Sequence, residues 1–209
     1  MKTLIEAPRN ARACYVMAHG AGAGMTHPFL ASVAKELAAR GIATLRYDFP
    51  YMDRGSRRPD TPKVAQAAVR EAVALAAKAL PKLALFAGGK SFGGRMTSQA
   101  QAAGALSGVR GLVFLGFPLH APGNPSDERG AHLSEVKVPM LFLQGTRDDF
   151  AKMELLRPLV KKLGPRATLV TFEDADHSFH VPARSGRKDE EIRAQMLDAM
   201  AVWIDGHLP

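Results

Sequence analysis

The sequence predicts an α/β fold in which a mainly parallel sheet of about six to seven strands carries helices on both faces. Two observations indicate this fold class. Short apolar runs of five to seven residues, each bounded by Gly, Pro or Asp, recur along the whole chain, as is typical of strands buried on both faces. Amphipathic stretches with helical spacing separate most of these runs, and sustained strand–helix alternation indicates a parallel sheet.

The predicted elements follow one another in regular order. Six apolar runs predict strands at residues 14–19, 42–47, 82–87, 111–117, 139–144 and 167–172. Five amphipathic stretches predict helices at residues 28–40, 62–80, 92–104, 150–163 and 189–207. In the first of these, Phe29, Val33 and Leu37 share one apolar face, and Gly41 ends the helix. Pro62 begins the second, at a position where its missing N–H group has no helical partner to lose.

The composition is that of one soluble domain covering residues 1–209. Hydrophobic residues make up 46% and charged residues 23% of the chain, which excludes a disordered or fibrous protein. The single cysteine excludes an intrachain disulfide and a multi-cysteine zinc site. No apolar stretch approaches the ~18 residues of a membrane span, and residues 1–10 lack the apolar run of a secretory signal. We therefore expect a cytoplasmic protein with no membrane association, and its oligomeric state stays open.

The net charge of +8 raises the question of an acidic partner. The basic residues are spread along the chain, and their densest groups lie at 54–58, 161–166 and 184–188 in loop-like or helix-end surroundings. No aromatic residues interleave with them, as a groove for single-stranded nucleic acid would require. We therefore expect no nucleic-acid partner.

A serine motif follows the third predicted strand. Its sequence, Gly89-Lys90-Ser91-Phe92-Gly93, fits the Gly-x-Ser-x-Gly pattern of a nucleophile elbow. Small residues two before and two after the serine are needed because strand and helix backbones close up around a strained turn. The turn lifts the serine hydroxyl above the sheet, where the N-terminus of the next helix favours negative charge. The sequence therefore predicts Ser91 as a nucleophile.

The same residues allow a different interpretation, a nucleotide-binding phosphate loop. Ala84, followed by Gly89-Lys90-Ser91, matches a relaxed Walker A pattern. A phosphate loop needs its flexible, glycine-rich part between the first small residue and the Gly-Lys pair. Most of residues 85–88 belong instead to a predicted strand, so the elbow is favoured.

A glycine-rich loop follows the first predicted strand, with the sequence His19-Gly20-Ala21-Gly22-Ala23-Gly24. Its glycines resemble part of a dinucleotide-binding fingerprint, and Asp48 lies within reach of the ribose-binding role, but the third glycine comes one residue early. The favoured interpretation is a loop whose N–H groups point at a developing oxyanion. We predict Ala21 or Gly22, together with Phe92, as the oxyanion donors.

A serine nucleophile requires a base, and the base requires an acid that orients it. His177 follows the last predicted strand by a short loop, and Asp148 follows the strand before it. The carboxyl ends of parallel strands meet at one edge of a sheet, and the chain order Ser, Asp, His is the one that accompanies an elbow. The sequence therefore predicts a triad of Ser91, His177 and Asp148.

Other residues compete for these roles. His180 is close to His177 in sequence, and His120 could line a pocket but does not fit the chain order. Asp149 is predicted to begin the helix at 150–163, where an acid would act as a cap. Cys14, at the start of a buried strand, is predicted to be an inert core thiol.

Together these residues resemble the α/β-hydrolase fold. They are most similar to its dienelactone-hydrolase-like branch and to the group of KAT8 regulatory NSL complex subunit 3 and testis-expressed protein 30. The matching pieces run from about residue 13 to 205 and comprise residues 19–25, 27–29, 46–52, 89–95, 117–120, 144–148 and 176–179.

The resemblance implies a serine esterase that acts on a small-molecule ester, thioester or similar acyl substrate, with no metal or organic cofactor. Dienelactone hydrolases proper use a cysteine nucleophile, so the serine at position 91 argues against dienelactone as the substrate. Some members of the branch are regarded as interaction proteins, which leaves a non-catalytic interaction module as the alternative. Only about 20 residues separate Phe117 from Pro139. We therefore expect no lid and an open site covered only by loops 48–62 and 118–135.

Overall fold

The computed structural model describes residues 1–209 and contains one seven-stranded sheet. Its strands are β1 (Thr3–Glu6), β2 (Ala13–Ala18), β3 (Ile42–Tyr47), β4 (Ala84–Lys90), β5 (Val109–Leu115), β6 (Met140–Gly145) and β7 (Ala167–Phe172). They lie in the order β1-β3-β2-β4-β5-β6-β7, and every neighbouring pair is parallel except β1 with β3. The predicted α/β class with a mainly parallel sheet is confirmed.

Six helices cover the sheet, namely α1 (Pro28–Ala39), α2 (Pro50–Asp53), α3 (Pro62–Ala79), α4 (Phe92–Ala103), α5 (Met153–Leu163) and α6 (Asp189–Asp205). Short 3₁₀ segments occupy Glu128–Glu135, Gly164–Arg166 and Ala183–Ser185. Helices α1 and α6 pack on one face of the sheet, and α3, α4 and α5 pack on the other, so that each face has its own buried apolar cluster. No helix combines the length and the apolar character that crossing a bilayer requires.

The structure corrects the predicted sheet at two places. Strand β1 was not among the predicted runs because it is a short edge strand with two exposed side chains, paired antiparallel to β3. Strand β4 extends to Lys90, three residues beyond the predicted end at 87. Its Gly88 and Gly89 read as loop residues in the sequence, yet a Cβ at these positions would overlap the carbonyl oxygens of Val113 and Ala18 in the flanking strands. Glycine is therefore required inside the sheet here.

The start of helix α5 also differs from the prediction. The helix begins at Met153 with Lys152 at its N-cap position, three residues after the predicted start. The expectation that Asp149 caps this helix is therefore wrong. The Asp149 carboxylate instead pairs with the Lys152 ammonium at 2.8 Å, and its side chain is 73% exposed.

Cys14 is a buried core residue, as predicted. The side chain is fully buried in β2, and burial raises the pKa of its thiol to about 12. A thiol that stays protonated is a poor nucleophile, so Cys14 acts as a core residue.

Candidate functional site

The turn between β4 and α4 has the geometry of a nucleophile elbow. Ser91 adopts φ +49° and ψ −115°, a region that non-glycine residues rarely occupy. The two flanking glycines permit the turn. A Cβ at Gly89 would overlap the Ala18 carbonyl oxygen, and a Cβ at Gly93 would lie 2.6 Å from the His19 carbonyl oxygen. The end of strand β2 can therefore lie close to both β4 and α4 only because positions 89 and 93 lack side chains.

Ser91, His177 and Asp148 form one continuous hydrogen-bonded chain. The Ser91 Oγ lies 2.8 Å from His177 Nε2, and His177 Nδ1 lies 2.7 Å from Asp148 Oδ2. These contacts join residues that are 86 and 29 positions apart in sequence. The order of the contacts requires Nδ1 to carry the proton donated to the carboxylate, which leaves Nε2 free to accept from the serine hydroxyl.

The Asp148 carboxylate is held by donors from three directions. It is 1% exposed, and in addition to His177 it accepts from Gln144 Nε2 at 2.5 Å and from the Phe150 N–H at 2.7 Å. The Gln144 amide is itself fixed, since its Oε1 accepts from the Phe117 N–H at 2.8 Å. Sequence reasoning missed Gln144, although a glutamine inside an otherwise apolar strand was a usable signal.

The loop that carries His177 is organised by a second carboxylate. Asp176 Oδ1 accepts from the N–H groups of Ser178 at 2.7 Å and His180 at 3.0 Å. The Phe150 ring lies 4.3 Å from the imidazole centroid. Burial is the largest influence on His177 and lowers the pKa of its imidazole, against the opposing effect of the hydrogen bond to Asp148. The imidazole is therefore neutral, as a base requires, over a wider pH range than an exposed histidine.

The predicted oxyanion donors lie around Ser91. Phe92 is the first residue of α4, where the N–H group has no partner within the helix. The Gly22 N–H donates to the Tyr51 hydroxyl at 3.0 Å, so it is already engaged. Ala21 lines the same cavity as Ser91, and of the two alternatives it stays the candidate donor. Tyr51, which sequence reasoning did not identify, orders this loop.

The competing side chains are occupied elsewhere. His180 pairs with Asp189 at 2.9 Å on the surface, and His120 Nε2 accepts from the Lys152 N–H at 3.0 Å. Asp48 Oδ1 accepts from the Met25 N–H at 2.7 Å, so it orders the glycine-rich loop rather than facing a ribose site.

The phosphate-loop interpretation does not fit the structure. Residues 84–90 form a strand rather than a loop. The Lys90 ammonium donates to the His177 carbonyl oxygen, and the Ser91 hydroxyl faces the imidazole. Neither group is free to bind a phosphate or its magnesium ion.

A cavity of about 340 Å³ opens beside the Ser91 hydroxyl. Apolar side chains of Phe29, Leu30 and Phe150 line it, together with the loop that follows β2. The expected covering loops, 48–62 and 118–135, contribute no lining residue, and this part of the prediction is wrong. The chain between 128 and 135 instead forms a 3₁₀ segment packed on α4.

The chain is similar in sequence to one protein family and in fold to several solved structures. The family described as "Alpha/beta hydrolase domain" matches residues 11–205. An alpha-beta serine hydrolase homologue from Coxiella burnetii is similar over 94% of this chain and 90% of its own, with a TM-score of 0.76 and 20% identity. A dienelactone hydrolase from Anabaena variabilis covers 99% and 92%, with a TM-score of 0.78 and 21% identity.

Two further relatives are informative. XC6422 from Xanthomonas campestris, described as an a/b serine hydrolase without lid, has a TM-score of 0.73 and 21% identity over 96% of this chain and 88% of its own. At such identities these structures share the fold alone. The uncharacterized peptidase YuxL of Bacillus subtilis is 32% identical over 80 residues. That match spans 37% of this chain and only 11% of the peptidase.

Proposed function

The chain belongs to the alpha/beta hydrolase family, and from its site we propose that it is a serine hydrolase cleaving an ester or thioester bond of a small molecule. The observation that carries the proposal is the continuous chain from Ser91 Oγ through His177 to Asp148, at 2.8 and 2.7 Å. Nucleophile, base and orienting acid are within hydrogen-bond distance before any substrate binds.

The first half of the reaction follows from this geometry. Ser91 Oγ attacks the carbonyl carbon of the substrate, while His177 Nε2 accepts the hydroxyl proton. The N–H groups of Phe92 and Ala21 stabilise the negative charge that develops on the carbonyl oxygen. His177 then returns the proton to the departing alcohol or thiol, and the acyl group remains on Ser91 as an ester.

The second half repeats these steps with water. His177 removes a proton from a water molecule, whose oxygen attacks the acyl carbon, and Ser91 recovers its proton as the carboxylic acid leaves. Asp148 keeps its charge throughout and stabilises the imidazolium that forms twice in each cycle. No cofactor takes part in this scheme.

The size and lining of the cavity favour short acyl groups. The cavity of about 340 Å³, which is lined by Phe29, Leu30 and Phe150, accommodates a small apolar group. No lid provides further apolar surface against which a long acyl chain could pack. The Xanthomonas structure is likewise described as lacking a lid. A serine at position 91 argues against dienelactone as the substrate. The narrower resemblance to KAT8 regulatory NSL complex subunit 3 and testis-expressed protein 30 stays a prediction, as does a cytoplasmic location.

A panel of p-nitrophenyl esters from acetate to laurate tests the proposal. We expect hydrolysis of the acetate and butyrate that is lost in Ser91→Ala and retained in Ser107→Ala, whose serine is exposed and remote from the cavity. A peptide p-nitroanilide in the same panel tests the peptidase activity named for the Bacillus relative. Folded parent protein that hydrolyses none of these compounds would instead support an interaction module.

A further inference from the structure

The lysine that precedes the nucleophile has an unusual position. Lys90 is the last residue of β4, and its side chain passes Gly20 with Cγ 3.7 Å from the position of a Cβ there. Its Nζ donates to the His177 carbonyl oxygen at 2.5 Å and lies 5.5 Å from the centroid of the Phe179 ring. The side chain keeps some exposure toward the cavity, whereas the ammonium is enclosed beneath the loop that carries the imidazole.

The ammonium is also close to the imidazole ring. A Cβ built at Gly116 would lie 3.0 Å from Lys90 Nζ and 3.4 Å from His177 Nδ1, so both nitrogens flank the same point. Gly116 follows β5 with φ +70°, a conformation that favours glycine. The space between Lys90 and His177 therefore depends on a residue without a side chain.

The charges around this pair are few and can be named. Burial lowers the pKa of Lys90 to about 8, opposed by the carboxylates of Asp148 and Asp176. Burial is the largest influence on His177 and lowers the pKa of its imidazole, and the Lys90 charge lowers it as well. The same two carboxylates oppose this and raise the pKa of His177. At neutral pH the lysine is mostly protonated, so a positive charge lies near His177 Nδ1, the nitrogen that is also bonded to Asp148.

We propose that Lys90 is a positioning residue of the hydrolase, which docks the His177 loop on the elbow and, through its charge, disfavours a second positive charge on the imidazole. The inference rests on the proposed function. The hydrogen bond to the His177 main chain provides the docking, because it joins the end of β4 to the loop after β7. The charge keeps the base neutral, and ready to accept a proton, in more acidic solution.

Two variants separate docking from charge. Lys90→Met removes both, whereas Lys90→Gln removes the charge and retains an N–H donor. In both we expect the acid limb of kcat/KM for p-nitrophenyl acetate to move to higher pH by at least about 0.5 unit, as expected for loss of a unit charge a few ångströms away. We expect kcat to fall roughly tenfold or more in Lys90→Met, with less loss in Lys90→Gln. Lys90→Arg keeps the charge and should keep the acid limb of the parent.

The exposed Lys78, in the last turn of α3, provides the control, and Lys78→Met should leave the acid limb unchanged. A fall in kcat with no shift of the limb in either neutral variant would overturn the charge role, and an unchanged kcat in Lys90→Met would overturn the docking role. An NMR titration of the His177 ring in parent and Lys90→Gln requires no turnover. It tests the charge role even if the protein hydrolyses no ester, because an unchanged His177 midpoint would refute that role by itself.

Discussion

Replacing Asp148 by asparagine removes one acceptor atom from a side chain that uses both of its oxygens. Oδ2 accepts from His177 and Gln144, and Oδ1 accepts from the Phe150 N–H. An asparagine has one oxygen and one NH₂ group, so at least one of these donors must face another donor. When the NH₂ group faces the imidazole, His177 accepts at Nδ1 and carries its proton on Nε2, where it cannot accept from Ser91.

The expected loss follows from this change of tautomer. Trapping the imidazole in the wrong form lowers kcat by about 10⁴ in serine hydrolases that use the same arrangement, which corresponds to about 5 kcal/mol of transition-state stabilisation. A buried donor left without an acceptor should also lower the free energy of unfolding by ~1–3 kcal/mol. The free energy of unfolding of the Asp148→Asn variant must therefore be measured beside its rate and compared with that of the parent.

The matched control is Asp149→Asn, one residue along the chain. The Asp149 carboxylate is largely exposed and pairs only with Lys152, and such a surface ion pair contributes little to stability. We expect kcat/KM for p-nitrophenyl acetate within about threefold of the parent. A larger loss in Asp149→Asn than in Asp148→Asn, or a loss below tenfold in a folded Asp148→Asn variant, would refute the assignment of the orienting acid.

Four further outcomes follow from the site. Ser91→Ala should lower ester hydrolysis by roughly three to six powers of ten, and activity within tenfold of the parent would discard the nucleophile. Because burial lowers the pKa of His177, the acid limb of kcat/KM should have its midpoint below about 6.5, and a midpoint above it would contradict that effect. Values of kcat/KM should fall from butyrate to laurate esters. A steady rise would mean that the site binds longer acyl chains than this cavity accommodates. Gly93→Ala, whose Cβ would lie 2.6 Å from a carbonyl oxygen, should destabilise the fold to urea by ~1–3 kcal/mol, whereas Gly206→Ala at φ −68° should be neutral or stabilising by ~0.4–1 kcal/mol.

The elements predicted from sequence are those whose signals are local. Apolar runs and helical periodicity located six of the seven strands and the five long helices, most within one or two residues. Strand β1 escaped because an edge strand buries little, and Gly88 and Gly89 were assigned to a loop because their role depends on neighbouring strands. These are requirements of packing between distant segments, which periodicity along one segment does not record.

The residues of the candidate site likewise fall into those that the sequence indicates and those that only the structure reveals. Ser91, Asp148 and His177 were identifiable because each follows a strand, and the ends of parallel strands converge. Gln144 and Tyr51 act through contacts to residues in other elements, at 2.5 and 3.0 Å. No spacing in the sequence indicates those contacts. The side-chain direction of Lys90 likewise emerges only when the loop after β7 is placed over β4.

Labelling with a fluorophosphonate tests the central claim most directly. The probe reacts with a serine that a base has activated and that has an oxyanion hole to receive the phosphoryl oxygen. Folded protein at pH 8, examined by intact mass and peptide mapping, should carry one adduct on Ser91. The adduct should form more slowly as the pH falls through the His177 pKa, and it should be absent in Ser91→Ala. Protein that stays unlabelled, or an adduct on another serine such as Ser98 or Ser178, would contradict the account.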